Sequence, residues 1–292
     1  MTFFSQVVQY TISGLTGGSI YAVIGICWSV VYLIARVLNF TTGEFVMLGG
    51  MLTWGFYRVG LGLASAALLA VATSIVIGMM LERITIRPLK FATEMVYMMV
   101  TIASASVIKG IILLIWGSET RTFDSFIGTK VIQIFGASLT PQIICVIFLL
   151  IVITIGLSLF FNFTLFGKAL RACAINLRGA RLVGIDVSKF RLFCFGLAGG
   201  LGAITGIFIT PITFTGYNIG LLAGLKGLVG AIIGGWNMVG TVLAAIALGL
   251  LEGFGTGFIS SGLKDIFALF VMIIFLILRT LHFPYHSKIG KT

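Results

Sequence analysis

The sequence predicts an all-α polytopic membrane protein, a single bundle of eight or nine transmembrane helices spanning residues 1–292. Composition is the first reason: 59% of residues are hydrophobic, only 9% are charged, and mean hydropathy is +1.17. Soluble chains carry about a quarter charged residues, and eight acids with nineteen bases are too few to cover a water-facing surface. The second reason is the recurrence of apolar runs near the roughly 20 residues that a spanning helix needs. The third is 38 glycines against four prolines, because small residues let membrane helices approach closely.

Taken in order, no charged residue occurs before Arg36, and residues 8–33 form the first run. A start without bases does not look like a cleaved signal segment. Residues 37–57 form a second run, broken by Asn39-Phe40-Thr41-Thr42-Gly43-Glu44, and 60–81 a third, followed by the charged loop from Glu82 to Lys90. Residues 95–116, carrying Lys109, make a fourth span. A polar connection over 117–140 leads to a fifth at 142–161. The most basic segment comes next, 162–191, with Lys168, Arg171, Arg178, Arg181, Lys189 and Arg191 against Asp186 alone. Runs at 192–212, 216–236, 239–258 and 264–281 complete nine crossings, or eight if one broken run is re-entrant.

The net charge of +11 follows from membrane orientation. Lys and Arg collect in short cytoplasmic loops. Placing 162–191 in the cytoplasm puts thirteen bases there and four outside, with Lys109 and Lys226 within spans. The N-terminus is then outside and the C-terminus cytoplasmic. A nucleic-acid partner is not expected, and the lipid bilayer is.

Catalysis is poorly supplied. His282 and His286 sit in the tail, and the acids do not cluster at metal-ligand spacing. Neither a metal nor a cofactor is expected, and the chain is not read as an enzyme. The terminal Gly290-Lys291-Thr292 imitates the end of a phosphate-binding loop, but Tyr285 stands where that loop needs Gly. Cys27, Cys145, Cys173 and Cys194 lack CxxC spacing and read as free thiols.

Two regions carry functional signals. Gly14-Leu15-Thr16-Gly17-Gly18 has an echo in Gly196-Leu197-Ala198-Gly199-Gly200. Each precedes an interrupted run with one ionisable residue, Glu44 or Lys226, ending in Gly49-Gly50 or Gly234-Gly235. Paired broken helices of inverted repeats build the central pathway of many transporters. An ionised side chain in hydrocarbon costs about 2.5–3.5 kcal/mol or more unless paired or wet. Glu44 therefore either caps a half-helix at the boundary or lines a path together with Asn39, Thr41 and Thr42. Lys226 either snorkels or binds an anionic group, and Lys109 either snorkels or pairs with Glu119 or Asp124. In the basic loop, Ala169, Ala172, Cys173, Ile175, Asn176, Ala180 and Val183 recur at helical spacing and predict one short helix ending near Gly184. Its small-residue face suits docking into another protein's groove; the alternative is a basic loop lying on anionic lipid.

At this point the chain resembles the permease subunit of branched-chain amino acid ABC importers. The resemblance rests on Gly14–Ala22, then Asn39-Phe40-x-x-Gly43-Glu44-x-x-Met47-Leu48-Gly49, then Glu82-Arg83-x-x-x-Arg87-Pro88-Leu89. It continues with Gly167-x-x-x-Arg171-Ala172-x-Ala174-x-Asn176-x-x-x-Ala180-x-x-x-Gly184-Ile185 and Gly224-Leu225-Lys226-Gly227. The resemblance implies an ATP-driven importer in a prokaryotic inner membrane. Its partners would be a homologous second permease, two ATP-binding subunits and an extracytoplasmic substrate-binding protein. It also implies that Gly167, Arg171, Ala172, Asn176, Ala180 and Gly184 belong to the ATPase-coupling loop. Thr41-Thr42 departs from the family's usual Ala-His, and Asn237-Met238 from a Gly-containing pair, so a related small amino acid or amide is a further cargo. The reading from another class is an autonomous channel or ion-coupled carrier for a small solute, using Glu44 and Lys226 as buried charges.

Overall fold

The computed structural model describes residues 3–89, 92–128, 132–134, 137–258, 269–271, 273–274 and 277. Ten α-helices are described: α1 Phe3–Ala35, α2 Thr41–Arg58, α3 Leu63–Leu81, α4 Glu94–Trp116, α5 Pro141–Phe163, α6 Leu165–Ile175, α7 Leu177–Leu182, α8 Val187–Thr213, α9 Ile219–Ile233 and α10 Met238–Phe258. A π-helical turn, Glu82–Ile86, prolongs α3, and a two-stranded hairpin, β1 Ile132–Ile134 with β2 Ala137–Leu139, precedes α5. Among the described residues six helices are long and apolar enough to cross a membrane: α1, α3 with its π turn, α4, α5, α8 and α10. The chain is a multi-pass helical membrane protein. The ninth expected run, 264–281, lies mostly outside the described residues, as do Lys90, Lys130, His282, His286 and the terminal tail.

Helix α1 runs through the centre, with Val23, Ile24, Ile26 and Trp28 almost wholly buried. Helices α3, α4 and α5 turn Leu68, Leu114 and Phe148 outward. Such apolar faces match a lipid surround, which needs no polar cover.

The two interrupted runs are shorter as helices than as hydropathy runs. At 1.5 Å per residue, α9 is only about 22 Å long, less than the roughly 30 Å hydrocarbon core. Each follows a long helix that ends on a left-handed, non-glycine residue: Arg36 after α1 (φ 53°) and Phe214 after α8 (φ 60°). That conformation crowds Cβ against the backbone, so surrounding contacts must hold it. Arg36 donates from Nη2 to the Ala174 carbonyl at 2.9 Å. Next to Phe214, Thr215 exchanges backbone hydrogen bonds of 2.6 and 2.7 Å with Arg121.

Packing repeats the pattern with partners exchanged. Helix α1 lies along α10, while α8 lies along α3; α2 packs on α8, while α9 packs on α1; and α2 meets α9. The first helix of each half thus packs on the third of the other. Tyr32, near the end of α1, stacks on Trp236 at 4.0 Å. The end of α8 instead meets the 117–128 connection, where Thr122 donates to the Thr210 carbonyl at 3.3 Å. The two halves therefore break at opposite ends of the bundle, as inverted repeats do.

Backbone contact replaces side-chain packing at the helix crossings. A Cβ built on Gly43 would lie 2.1 Å from the Gly220 oxygen, and one on Gly49 would lie 2.1 Å from the Ala203 oxygen. On α1, Cβ atoms built on Gly14 and Gly18 would lie 2.8 and 2.7 Å from the α10 backbone at Leu250 and Ile246. The echoing Gly196, Gly199 and Gly200 face α3 at Met79, Ser74 and Ile75.

The loop after α3 holds an unexpected element. Glu82 is fully buried, and its Oε1 accepts a 2.7 Å hydrogen bond from Nε of Arg191, whose side chain is 21% exposed. The pair clamps the π turn to the first turns of α8. Glu82→Ala is expected to lower stability by about 1.5–3 kcal/mol. Arg191→Ala should cost more, because it strands a buried carboxylate. Thermal unfolding of both variants and of the double variant checks this, with the double expected to lie well short of the sum.

Candidate functional site

Lys226, the ionisable residue of the second interrupted run, sits on α9 and is 6% exposed. Its Nζ donates to Glu252 Oε1 at 2.9 Å and to the Tyr21 hydroxyl at 3.3 Å. The Tyr21 hydroxyl in turn donates to the same Glu252 oxygen at 3.1 Å. Three helices, α1, α9 and α10, thus meet in one hydrogen-bonded triangle. Burial makes the attraction strong and an unpaired partner costly. The sequence reading missed Glu252, although it is the lone ionisable residue in the apolar run 239–258. An acid so placed needs a cation, and Lys226 was available.

Glu44 and Lys226 are not brought together. Glu44 is 3% exposed in the first turn of α2, and its carboxylate occupies the space a side chain at Gly220 would need, with Oε2 2.7 Å from a Cβ built there. Asn39, Thr41 and Thr42 close a local turn. Asn39 Oδ1 accepts from the Thr41 hydroxyl at 2.6 Å and from its amide at 3.2 Å, and the Thr42 hydroxyl donates to the Asn39 carbonyl at 2.8 Å. These bonds supply an N-terminal turn with side-chain oxygens, as capping residues do. Lys109 pairs with neither expected acid: it donates to Asn218 Oδ1 and lies over the Tyr217 ring. Glu119 is taken by Arg121 at 3.1 Å.

Among the cavities beside α1, two reach its middle turns. One of about 400 Å³ has Lys226 and Tyr21 in its wall, with Ile12, Ile143, Ile209 and Ile212 opposite or beside them. Gln9 also lines it, and the Gln9 amide grips both backbone groups of Ser138 in the β hairpin. The cavity therefore lies toward the hairpin end of the bundle. The other, about 660 Å³, lies between α1, α5, α6 and the 235–239 turn at the basic end, with Ser29, Asn162 and Arg171 among its residues. Asn39, Thr41, Thr42 and Glu44 line neither.

The basic loop is two helices, not the one expected. Asn176 breaks the run: its Oδ1 accepts from the amides of Arg178 and Gly179 at 3.0 Å each, capping α7. Gly184 follows with φ 81°, the left-handed conformation that ends a helix with least strain in glycine. The small residues do not form an outward face. Gly167, Cys173 and Ala180 are buried and Ala169 and Ala172 half-buried, while Asn176, Arg171 and Gly184 are exposed. Gly167 packs on the backbone of Phe160 and Phe161. Burial pushes the Cys173 thiol up from its ordinary pKa, so it stays protonated and unreactive. The outward surface instead carries Lys168, Arg171, Arg178 and Arg181 around Ile175, Leu182 and Val183, which are 85%, 88% and 75% exposed.

A multi-pass bundle with paired interrupted helices, and a cavity-wall lysine bonded from behind to a buried glutamate, is an arrangement consistent with the permease class. The family described as "Branched-chain amino acid transport system / permease component" matches residues 10–276, and the chain belongs to that family. The chain is 27% identical over 289 residues to the high-affinity branched-chain amino acid transport system permease protein BraD of Pseudomonas aeruginosa, covering 93% of this chain and 94% of that one. It is 26% identical over 294 residues to the corresponding permease protein LivH of Escherichia coli K12, with the same coverage. A shorter stretch, 102 residues at 30% identity and 34% of this chain, matches the autoinducer 2 import system permease protein LsrC of Yersinia enterocolitica. No solved structure matches the chain.

Proposed function

We propose that this chain is the membrane-spanning permease subunit of an ATP-driven importer of branched-chain or closely related small amino acids. It works with a homologous second permease, two ATP-binding subunits and an extracytoplasmic substrate-binding protein, in a prokaryotic inner membrane. The loop 162–191 and the C-terminus face the cytoplasm, where the bases of short loops collect. The observation that carries the reading is the family match over residues 10–276. The outward surface of α6 and α7 supports it. Large apolar side chains ringed by arginines suit a protein partner, since interface cores are apolar and Arg-enriched.

In this reading the loop holding Gly167, Arg171, Ala172, Asn176, Ala180 and Gly184 transmits closure of the ATP-binding subunits to the bundle. Gly167 fixes the loop to α5, Ala180 is buried beneath it, Asn176 and Gly184 set the bounds of α7, and Arg171 is exposed. Ligand and ATP then shift the population between inward-open and outward-open states. Lys226 lies on the cargo's route, and Asn39, Thr41, Thr42 and Glu44 shape the start of the half-helix beside it.

Leu182→Asp with Val183→Asp tests the coupling surface, because both side chains point away from the core. The ATP-binding subunits are expected to be lost from the co-purified complex while the permease keeps its unfolding temperature. A complex that stays intact, with ATP-driven uptake undiminished, would sink the assignment.

A further inference from the structure

The cavity beside Lys226 combines features that none of its residues shows alone. Its volume, about 400 Å³, lies within the range of about 300–1,000 Å³ usual for small-molecule sites. Its lining is mostly isoleucine and other aliphatic side chains, and Lys226 is the one Lys, Arg, Asp, Glu or His among the described lining residues. Lys226 is bonded from behind to Glu252, which does not line the space. Ser13 and Thr16 add hydroxyls on the α1 wall. Thr16 Oγ1 already donates to the Ile12 carbonyl at 2.8 Å and so presents lone pairs to a donor.

We propose that this cavity is a binding chamber for a zwitterionic aliphatic amino acid, whose carboxylate is held by Lys226 and whose side chain lies against the isoleucines. The proposal deepens the importer reading and rests on it. The carboxylate takes the place of the Tyr21 hydroxyl, whose 3.3 Å contact is the longer of the two drawn above, while Glu252 keeps its 2.9 Å bond. The ammonium group of the ligand meets the hydroxyls of Ser13 and Thr16. Because the ligand is neutral overall, net charge in the membrane does not change on entry. A cationic amide of the same side chain brings an uncompensated charge toward Lys226 and is rejected, since a buried like-charge contact is strongly unfavourable.

The test uses the assembled transporter in nanodiscs with Thr213→Cys as a reporter. Thr213 lines the same cavity and is exposed, and Cys27, Cys145, Cys173 and Cys194 are all buried, so a water-soluble maleimide reads position 213. Leucine at about ten times its Kd is expected to slow labelling about tenfold, and leucinamide is expected not to slow it. In Lys226→Met with Glu252→Met leucine protection disappears, and in Lys226→Arg, which keeps the cation, it persists. Equal protection by leucinamide, protection surviving the paired Met variant, or no protection at all overturns the proposal. ATP-driven leucine uptake by the same preparation reports separately on the importer reading. Uptake without protection refutes the chamber alone; protection without uptake refutes the importer reading.

Discussion

Lys226→Met alone is expected to lower stability by about 3–5 kcal/mol, the usual consequence of removing one partner from a buried ion pair. The mechanism is specific. Glu252 Oε1 loses its 2.9 Å ammonium donor and keeps the Tyr21 hydroxyl at 3.1 Å, in a site where the carboxylate is 3% exposed. The buried carboxylate has then lost its ammonium partner, which costs free energy whether it stays charged or takes up a proton. Glu252→Gln should be similarly harmful, because it removes the carboxylate that accepts from the buried ammonium at 2.9 Å. The paired replacement Lys226→Met with Glu252→Met should recover most of the loss, since an apolar pair of similar size needs no compensation. Thermal unfolding of the purified chain in one lipid composition measures all three. Additive losses would show that the pair does not act as a unit.

The second large effect belongs to the contact between α2 and α8. A Cβ built on Gly206 lies 1.9 Å from the Val46 carbonyl oxygen, 2.8 Å from its carbon and 3.1 Å from the Gly50 nitrogen. These are backbone atoms of a facing helix and cannot swing aside as a long side chain does. Gly206→Ala therefore forces the helices apart, and Gly206→Leu does so further. Overpacking costs about 1–3 kcal/mol and occasionally more, and here the separation also disturbs Thr42 and Phe45, which pack on Gly202 one turn away. Gly156→Ala on α5 is the control, because nothing lies within 4 Å of its Cβ position. There alanine should be neutral or stabilising by about 0.5–1 kcal/mol, through helix propensity alone. Yield and unfolding temperature of the three variants decide the matter. A tolerated Gly206→Leu would contradict the backbone-to-backbone packing.

Why some features were legible in the sequence and others were not follows from where the chemistry lies. Helices α1, α3, α4, α5, α8 and α10 were legible because in lipid each spanning segment must satisfy its own backbone, which demands long apolar runs. The paired breaks were legible too. Asn39-Phe40-Thr41-Thr42 is polar within an apolar run, and the glycine echo marks equivalent helices. Arg36, the first charged residue, marks the break after α1, but the exact break point after α8 was not legible, because Phe214 carries a left-handed conformation that sequence assigns to glycine. Lys226 stood out as a charge in a span, but its partner lay 26 residues away on another helix, and only the packing of α9 against α10 brings Glu252 to it. Glu82 read as part of a polar loop, whereas the π turn directs it inward to Arg191. In the basic loop, spacing alone could not tell which side of a small amphipathic helix is covered. Asn176 was counted as a helical position when it is the cap that divides α6 from α7.

Reconstitution tests the central claim most directly. The purified chain is placed in proteoliposomes alone, and in parallel with a homologous second permease, two ATP-binding subunits and the substrate-binding protein, and leucine uptake is followed with and without ATP. The importer account predicts uptake only in the full assembly and only with ATP. Uptake by the chain alone, without ATP and at a comparable rate, would contradict it and establish an autonomous carrier or channel.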